Sequence, residues 1–304
     1  YATYFDVDWA ASEERWLNKV LLPVLGDHYG RVVENGEFQL SHEEGSFALH
    51  YHDHIFPVDP SSLPELLKKA AESCGSELLA FLAESHARLP RPTVTARHAV
   101  ERRHRDKAVL QGLLSDLCRK EPEVRSAVDA EAASVNGDPD AMDALIDQQN
   151  YRLAFWRTAS RDVGYRRFFD IKDLASMRVE DIEVFRDTHA LPVSWVKSGW
   201  VQGLRIDHPD GLRDPEQYFQ RLREACPNAW IVAEKILEPG EELPAQWPIA
   251  GTTGYDFLNL VGGLFVDPEG EDALTRTYED FIGEETDYHA LVRVCKRQVL
   301  DDLL

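Results

Sequence analysis

Two short apolar runs, each closed by a carboxylate and set one strand–helix unit apart, constrain this chain more than any other feature. The first is Gly203-Leu204-Arg205-Ile206-Asp207, continuing into His208-Pro209-Asp210-Gly211-Leu212; the second is Trp230-Ile231-Val232-Ala233-Glu234-Lys235. Side chains alternate across a strand, so Arg205 and Asp207 fall on one face while Leu204 and Ile206 fall on the other. An arginine beside an aspartate on one face holds that carboxylate ionised. Between the runs, Asp214-Pro215 marks a helix start, and Tyr218, Phe219, Leu222 and Ala225 recur at helical spacing before Pro227-Asn228 ends it. Strand, helix and strand in that order predict parallel neighbours with Asp207 and Glu234 at the same end. Such strand ends open into the active-site loops of a barrel, and two inward carboxylates on adjacent barrel strands are the apparatus of glycoside cleavage. The plainer reading is a pair of strand-end acids that cap helices or pair with Arg205 and Lys235.

Ahead of this pair the pattern changes twice. Phe5 to Trp9 reads as extended, and Lys19 to Leu25, apolar but interrupted by Pro23, as a short strand in a parallel setting. Arg31–Glu34 and Phe38–Leu40 flank Asn35-Gly36, a strong hairpin signal, and an alternating run from Phe47 to Phe56 follows. Residues 1–60 thus read as a small β-meander lobe. Residues 61–163 read as a helical insertion. Its first helix has Ser62 as cap and Gly75 as terminator, and a second starts at Ser76. A third runs from Arg97 to Lys120 with Val100, Val109, Leu110, Leu113, Leu114 and Leu117 on its buried side. Two shorter helices are parted by Asn136-Gly137-Asp138-Pro139. Residues 164–304 carry a helix from Asp181 to Ser198, the paired carboxylate strands, and a third strand–helix junction at Gly251-Thr252-Thr253-Gly254-Tyr255-Asp256.

Charge and composition narrow the partners. A net charge of -21 argues against nucleic acid and anionic membranes, whose phosphates require basic surface, and favours a neutral substrate or a cell with a salty or acidic-proteome interior. No apolar run approaches membrane length. Cys74, Cys118, Cys226 and Cys295 are scattered without paired spacing, as free thiols in a reducing cytoplasm would be. The chain opens at Tyr1-Ala2-Thr3 without a Met and closes within an apparent helix, Val294 to Leu300, which reads as a piece cut from a longer protein.

Three further clusters invite a functional reading. His50, His52 and His54 would place three imidazoles on one strand face; without fixed partners for the rings, a wet sheet face is expected rather than a metal site. Arg97, His98, Arg102, Arg103, His104, Arg105 and Lys107 on the third helix could form a nucleic-acid patch, but in so acidic a chain they read as a solvated face paired with local acids. Aromatic residues crowd the stretches from Tyr151 to Trp156 and from Tyr165 to Phe169, and alternation over Arg166 to Ile171 buries part of them. Trp156 and Tyr165 are the candidates for stacking on a sugar ring.

At this point a resemblance enters. GLRIDHPDGL, Gly203 to Leu212, resembles the nucleophile motif of the α-amylase superfamily of glycoside hydrolases and transferases. More narrowly, several runs in order look like the maltooligosyl trehalose synthase family: FDVDW (Phe5 to Trp9), KVLLPVL (Lys19 to Leu25), YRLAFW (Tyr151 to Trp156), YRRFFDI (Tyr165 to Ile171), AEKILEPG (Ala233 to Gly240) and GTTGYDFLN (Gly251 to Asn259). The resemblance implies an α/β fold, a partial (β/α)8 barrel of about the fourth to sixth strands with a large mixed insertion. It implies Asp207 as nucleophile, Glu234 as general acid/base, Arg205 as the arginine beside the nucleophile, and His208, Lys235 and Tyr255 on the acceptor side. It implies a maltooligosaccharide as substrate, no cofactor and no metal, and a cytoplasmic enzyme. The reaction implied moves the reducing-end α-1,4 linkage to α,α-1,1 with retention, through carboxylates about 5–5.5 Å apart. A plain α-amylase or α-glucanotransferase, or a non-catalytic glucan-binding fragment, are the alternatives. For the acid role Glu234 should be buried and Lys235 should point away from it. The family's histidine-bearing motif and its third acid would lie outside Tyr1–Leu304, so the isolated piece is expected to be inactive.

Overall fold

A computed structural model describes residues 2–10, 16–94, 96–160, 163–169, 171–285 and 287–303. The fold is mixed α/β, and the chain divides into two compact units, Asp8–Gly164 and Tyr1–Val7 with Tyr165–Leu304.

The Asp8–Gly164 unit is closed by a parallel pair. Strand β1 (Val20–Leu25) alternates half-buried and buried side chains, and its long-range partner appears only at the far end of the unit. Between them lie helix α1 (Tyr29–Glu34), strands β2 (Gln39–Glu43), β3 (Ser46–Tyr51) and β4 (His54–Pro57), and helices α2 (Pro64–Cys74), α3 (Glu77–Ala87), α4 (Arg97–Lys120), α5 (Pro122–Asn136) and α6 (Pro139–Asp147). Strand β5 (Tyr151–Phe155) then returns parallel to β1 in the register Val20↔Tyr151 and Leu22↔Leu153. The antiparallel meander β2-β3-β4 aligns Leu40, Leu49 and Phe56 across its three strands, and all three are buried. They share one core with Leu67, Leu82, Leu114 and Val128 of the helices. Asn136, at the end of α5, binds the backbone of Leu40 through both amide atoms, accepting its N–H at 2.6 Å and donating to its carbonyl at 3.0 Å. A fully buried Gln149 likewise accepts from Asp59 N–H and donates to Ser62 Oγ and Leu145 O, so both polar atoms of its amide have partners.

Several local expectations change here. Asn35-Gly36 does not turn a hairpin: residues 29–34 are helical and Gly36, at φ 67°, is the left-handed residue that ends α1. Glu37 N–H bonds to Val32 O and Gly36 N–H to Val33 O, the paired bonds of a Schellman ending. A glycine that supplies positive φ serves a hairpin or a helix end equally well; the buried pair Val32 and Val33 decides for the helix. The run from Phe47 to Phe56 is two strands, with Tyr51 opposite His54 and a turn at His52-Asp53. The three histidines therefore do not share one strand face. His50 contacts Ser41 Oγ at 2.7 Å, His52 sits in the turn at φ 50°, and His54 stacks on Phe56. Ser62 does not cap α2. It lies in a short 3-10 turn begun by Asp59, and α2 opens with Pro64, whose missing N–H needs no cap. In α4 the buried stripe is Ala99, Leu110, Leu114, Leu117 and Cys118, whereas Val109 and Leu113 are exposed, one helical row away. The basic residues of α4 do pair locally, Arg97 with Glu101 and both Arg102 and Arg105 with Asp106.

The other unit begins with an irregular ladder. Phe5 bridges Met177 and Val7 bridges Tyr165, beside strands β6 (Arg167–Phe168) and β7 (Ile171–Ala175). The expected alternation through Arg166 to Ile171 breaks at Phe169, which adopts φ 53° and is half exposed; Asp170 lies outside the described residues. Helix α7 (Ile182–Lys197), capped by Asp181, leads to strand β8 (Gly203–Ile206), helix α8 (Pro215–Ala225), capped by Asp214, and strand β9 (Trp230–Ala233). Strand β10 (Gly251–Thr252) completes a parallel sheet in the order β10-β9-β8. Tyr218, Phe219 and Leu222 of α8 pack on Ile231 and Ala233, with Leu204 and Ile206 of β8 against the same core. Helices α9 (Tyr255–Gly263), α10 (Glu271–Ile282) and α11 (Tyr288–Leu303) follow, and Phe257, Leu260, Phe265, Leu274 and Phe281 on and near them are largely exposed. All four cysteines are free, and no helix among the described residues is long and apolar enough to cross a membrane.

Candidate active site

The site grows out of the β8–β9 register. Arg205 stands opposite Val232 and Ile206 opposite Ala233, so Asp207 and Glu234 leave adjacent parallel strands at the same level. Glu234 N–H donates to Ile206 O at 2.8 Å, which carries the ladder one residue past the strands and fixes the backbone beneath both acids. Leu204 and Ile206 go into the core, leaving Arg205 and Asp207 on the open face, as strand alternation requires.

Arg205 joins the two carboxylates. Its Nη1 donates to Asp207 Oδ1 at 2.5 Å and its Nη2 lies 3.5 Å from Glu234 Oε1. The guanidinium is the main reason the Asp207 carboxyl sits below the usual aspartate range; burial opposes this and a hydrogen bond with Glu234 adds to it. Asp207 and Arg205 are half exposed, whereas the Glu234 side chain is 20% exposed. Lys235 points to other acids, Asp210 at 3.2 Å and Glu241 at 2.8 Å, and these raise its ammonium above the usual lysine range.

The turn after Asp207 is unusual. His208 adopts φ 44°, a left-handed conformation that a non-glycine side chain takes at a cost of about 1–3 kcal/mol. It holds two features in place. The His208 N–H donates to Glu234 Oε2 at 3.0 Å, and its ring stacks on Phe169 with centroids 4.1 Å apart and planes 12° apart. Phe168 meets the same ring edge-on at 5.5 Å. Gly211 lies beneath it, where a Cβ would come within 2.7 Å of His208 Cε1 and Nδ1. A cavity of about 180 Å³ beside Asp207 and His208, lined also by Arg166, His189 and Tyr218, is smaller than ordinary ligand sites of about 300–1,000 Å³. Any larger ligand would therefore approach from the solvent side, where Arg205 and Asp207 are exposed.

Tyr255 opens α9 after Gly254 at φ 102°, and Thr253 N–H, two residues before it, donates to Ala233 O at 3.0 Å, next to Glu234. Tyr165 bridges Val7 at the edge of the same unit and is half buried. Trp156 belongs to the Asp8–Gly164 unit, 46% exposed, with Arg157 5.2 Å above its ring. Asp207, Glu234, Arg205 and His208 are thus joined by direct contacts, Lys235 is adjacent but committed to Asp210 and Glu241, and Tyr255 and Tyr165 lie in the same unit. Sequence reasoning did not single out Phe169, Gly211 or Arg166 as parts of the site. Their signals are weak: one aromatic among several, a glycine four residues past the acid, and an arginine in an arginine-rich run. No group of three His, Cys, Asp or Glu side chains able to hold a metal is found among the described residues.

Known proteins place this arrangement in context. No protein-family model matches the chain. Proteins of Mycobacterium tuberculosis strains CDC 1551 / Oshkosh and ATCC 25618 / H37Rv, which carry the provisional name maltooligosyl trehalose synthase, are 50% identical to it over 137 residues. That stretch is 45% of this chain and 18% of theirs. Among solved structures, maltooligosyltrehalose synthase from Arthrobacter ramosus is 33% identical with a TM-score of 0.63, across 98% of this chain and 28% of that one. The DSM5389 glycosyltrehalose synthase is 27% identical with a TM-score of 0.64, across all of this chain and 31% of that one. The chain is thus kin to maltooligosyl trehalose synthases and spans less than a third of the length of the structures it matches.

Proposed function

We propose, from that kinship, that this chain is the part of a maltooligosyl trehalose synthase that holds its nucleophile and its acid/base. The observation that carries the reading is the Arg205 guanidinium reaching both Asp207 and Glu234 at the mouth of adjacent parallel strands. The parallel order β10-β9-β8, with α8 joining β8 to β9 and packing on their core, supports their being the sixth, fifth and fourth strands of a (β/α)8 barrel. The exposed apolar residues of α9 to α11 fit helices that pack on further barrel elements.

The chemistry follows from charge and position. Asp207, kept ionised by Arg205, attacks the anomeric carbon of the penultimate glucose of a maltooligosaccharide. Glu234, less exposed and steadied by His208 N–H, protonates the departing oxygen. The terminal glucose stays bound, turns, and returns its own anomeric hydroxyl to the glycosyl–enzyme, with Glu234 now the base. Two inversions give net retention, an α,α-1,1 linkage in place of the α-1,4 one. Tyr255 and His208 are placed for the acceptor glucose, and Lys235 acts on that side through Asp210. Tyr165, in the same unit as the acids, offers an aromatic face for sugar. The enzyme works in the cytoplasm on a neutral substrate, which suits a chain of net charge -21.

Maltopentaose given to the full-length enzyme is the test. The reading predicts loss of reducing ends without matching release of glucose. Glucose release in step with bond cleavage would mean an α-amylase, chain-length redistribution an α-glucanotransferase, and binding without turnover a glucan-binding protein.

A further inference from the structure

The acids rest on the turn His208–Gly211, and that turn is held by a side chain with no part in bond breaking. Arg166 reaches it from the irregular ladder at the start of its unit. Its Nη1 donates to Gly211 O, its Nη2 reaches Met177 O at 3.4 Å, and its Nε donates to Asp6 Oδ2 at 2.9 Å. Asp6 is itself fixed. Its N–H donates to Ser176 O and its carbonyl accepts from Arg166 N–H, both at 2.9 Å, while Arg178 lies 3.6 Å from its second carboxylate oxygen. Arg166 and Asp6 are about a quarter to a third exposed, so the guanidinium is a partly desolvated, multiply bonded strut. A planar fork that donates in three directions is what arginine supplies and lysine does not.

We infer that Arg166, anchored by Asp6, is a positioning residue that sets the aim of Glu234 through the turn. The path is short and made of contacts. Arg166 holds the Gly211 carbonyl, Gly211 lies against the His208 ring, the ring is clamped on Phe169, and the His208 N–H bonds to Glu234. His208 sits at φ 44°, a conformation that would relax if the turn were released. Glu234 would then lose the donor that directs one of its oxygens, and its distance from the reacting bond would change. Lys235 is tied to Asp210 on the same turn at 3.2 Å. The inference rests on the function proposed above for its kinetic consequence, but not for its structural one.

Two measurements on the full-length enzyme test it. The first compares Arg166→Gln, Arg166→Lys and Asp6→Asn in steady-state kinetics with maltopentaose. Arg166→Gln should lower kcat by about 10- to 100-fold, the scale of a misplacement near 1 Å, with KM within about twofold of the parent. Arg166→Lys should recover part of the loss, because an ammonium still donates to Gly211 O, and Asp6→Asn should give a smaller loss in the same direction. The second is amide hydrogen exchange without substrate. In Arg166→Gln the His208 amide should exchange about tenfold faster, while the Glu234 amide, bonded to Ile206 O in the strand ladder, keeps its protection. A kcat within threefold of the parent in Arg166→Gln, a rise in KM equal to the loss in kcat, or unchanged exchange at His208 would overturn the inference. If the parent itself turns over no maltooligosaccharide, the functional reading fails, and the exchange measurement alone decides the positioning role.

Discussion

Replacing Gly211 by Ala probes the clamp around His208 with a single methyl group. The added Cβ would stand 2.7 Å from both Cε1 and Nδ1 of the imidazole, against about 3.5–4.0 Å for an ordinary contact. The ring must therefore move by about 1 Å. It cannot swing freely, since Phe169 stacks on one face at 4.1 Å and Phe168 meets it edge-on at 5.5 Å. Movement breaks the stack or drags the His208 N–H off Glu234. One methylene forced into a packed site costs about 1–3 kcal/mol, and a 1 Å displacement next to an acid/base costs about 10²-fold in kcat. The assay is urea unfolding followed by tryptophan fluorescence, with kcat measured on the same samples. Gly262→Ala supplies the comparison: Gly262 is a helical position in α9 with nothing within 4 Å of its Cβ, so the same change should leave stability equal or raise it by about 0.4–1 kcal/mol. Equal stability and equal kcat in Gly211→Ala and the parent would refute the clamp.

Other consequences are more direct. Glu234→Gln should lower kcat by about 10²–10⁴-fold in the full-length enzyme, and a smaller loss would remove Glu234 from the acid/base role. Arg205→Gln removes the main cause of the low Asp207 pKa, so that value rises toward the ordinary one near 3.9. In the proposed role Asp207 acts as its anion, so its contribution is present above its pKa and lost as pH falls through it. The acid limb of kcat/KM should therefore move to higher pH in Arg205→Gln, and a stationary limb would contradict the assignment. Gly36→Ala puts a Cβ at φ 67° where α1 ends and should destabilise the Asp8–Gly164 unit by about 1–2 kcal/mol in denaturant unfolding; no change would mean that the left-handed ending is not retained in solution.

What could be read from the sequence was governed by how local its cause is. The β8–α8–β9 unit was legible because each of its signals lies within a few residues: Asp214 caps α8, Tyr218, Phe219 and Leu222 form its buried stripe, and the strands alternate. Helix α4 was legible in its ends but not in its buried row, because Leu113 and Leu114 are equally apolar and only the packing partner chooses between them. Asn35-Gly36 misled because positive φ serves hairpins and helix ends alike. His50, His52 and His54 misled because alternation continues unbroken across a two-residue turn. The meeting of Asp207 with Glu234 was readable from chain order. The supports beneath them were not: Arg166 lies 45 residues before Gly211 and Asp6 lies 160 before Arg166, and nothing in the spacing announces either contact.

The account stands most directly on which atom carries the sugar between the two displacements. The measurement is peptide mass spectrometry of the full-length enzyme quenched after reaction with a 5-fluoro maltosyl fluoride, which slows release of the glycosyl–enzyme. The account predicts one maltosyl group, esterified to Asp207 and absent in Asp207→Asn. An adduct on any other residue, or turnover of maltopentaose with no adduct at all, would contradict it.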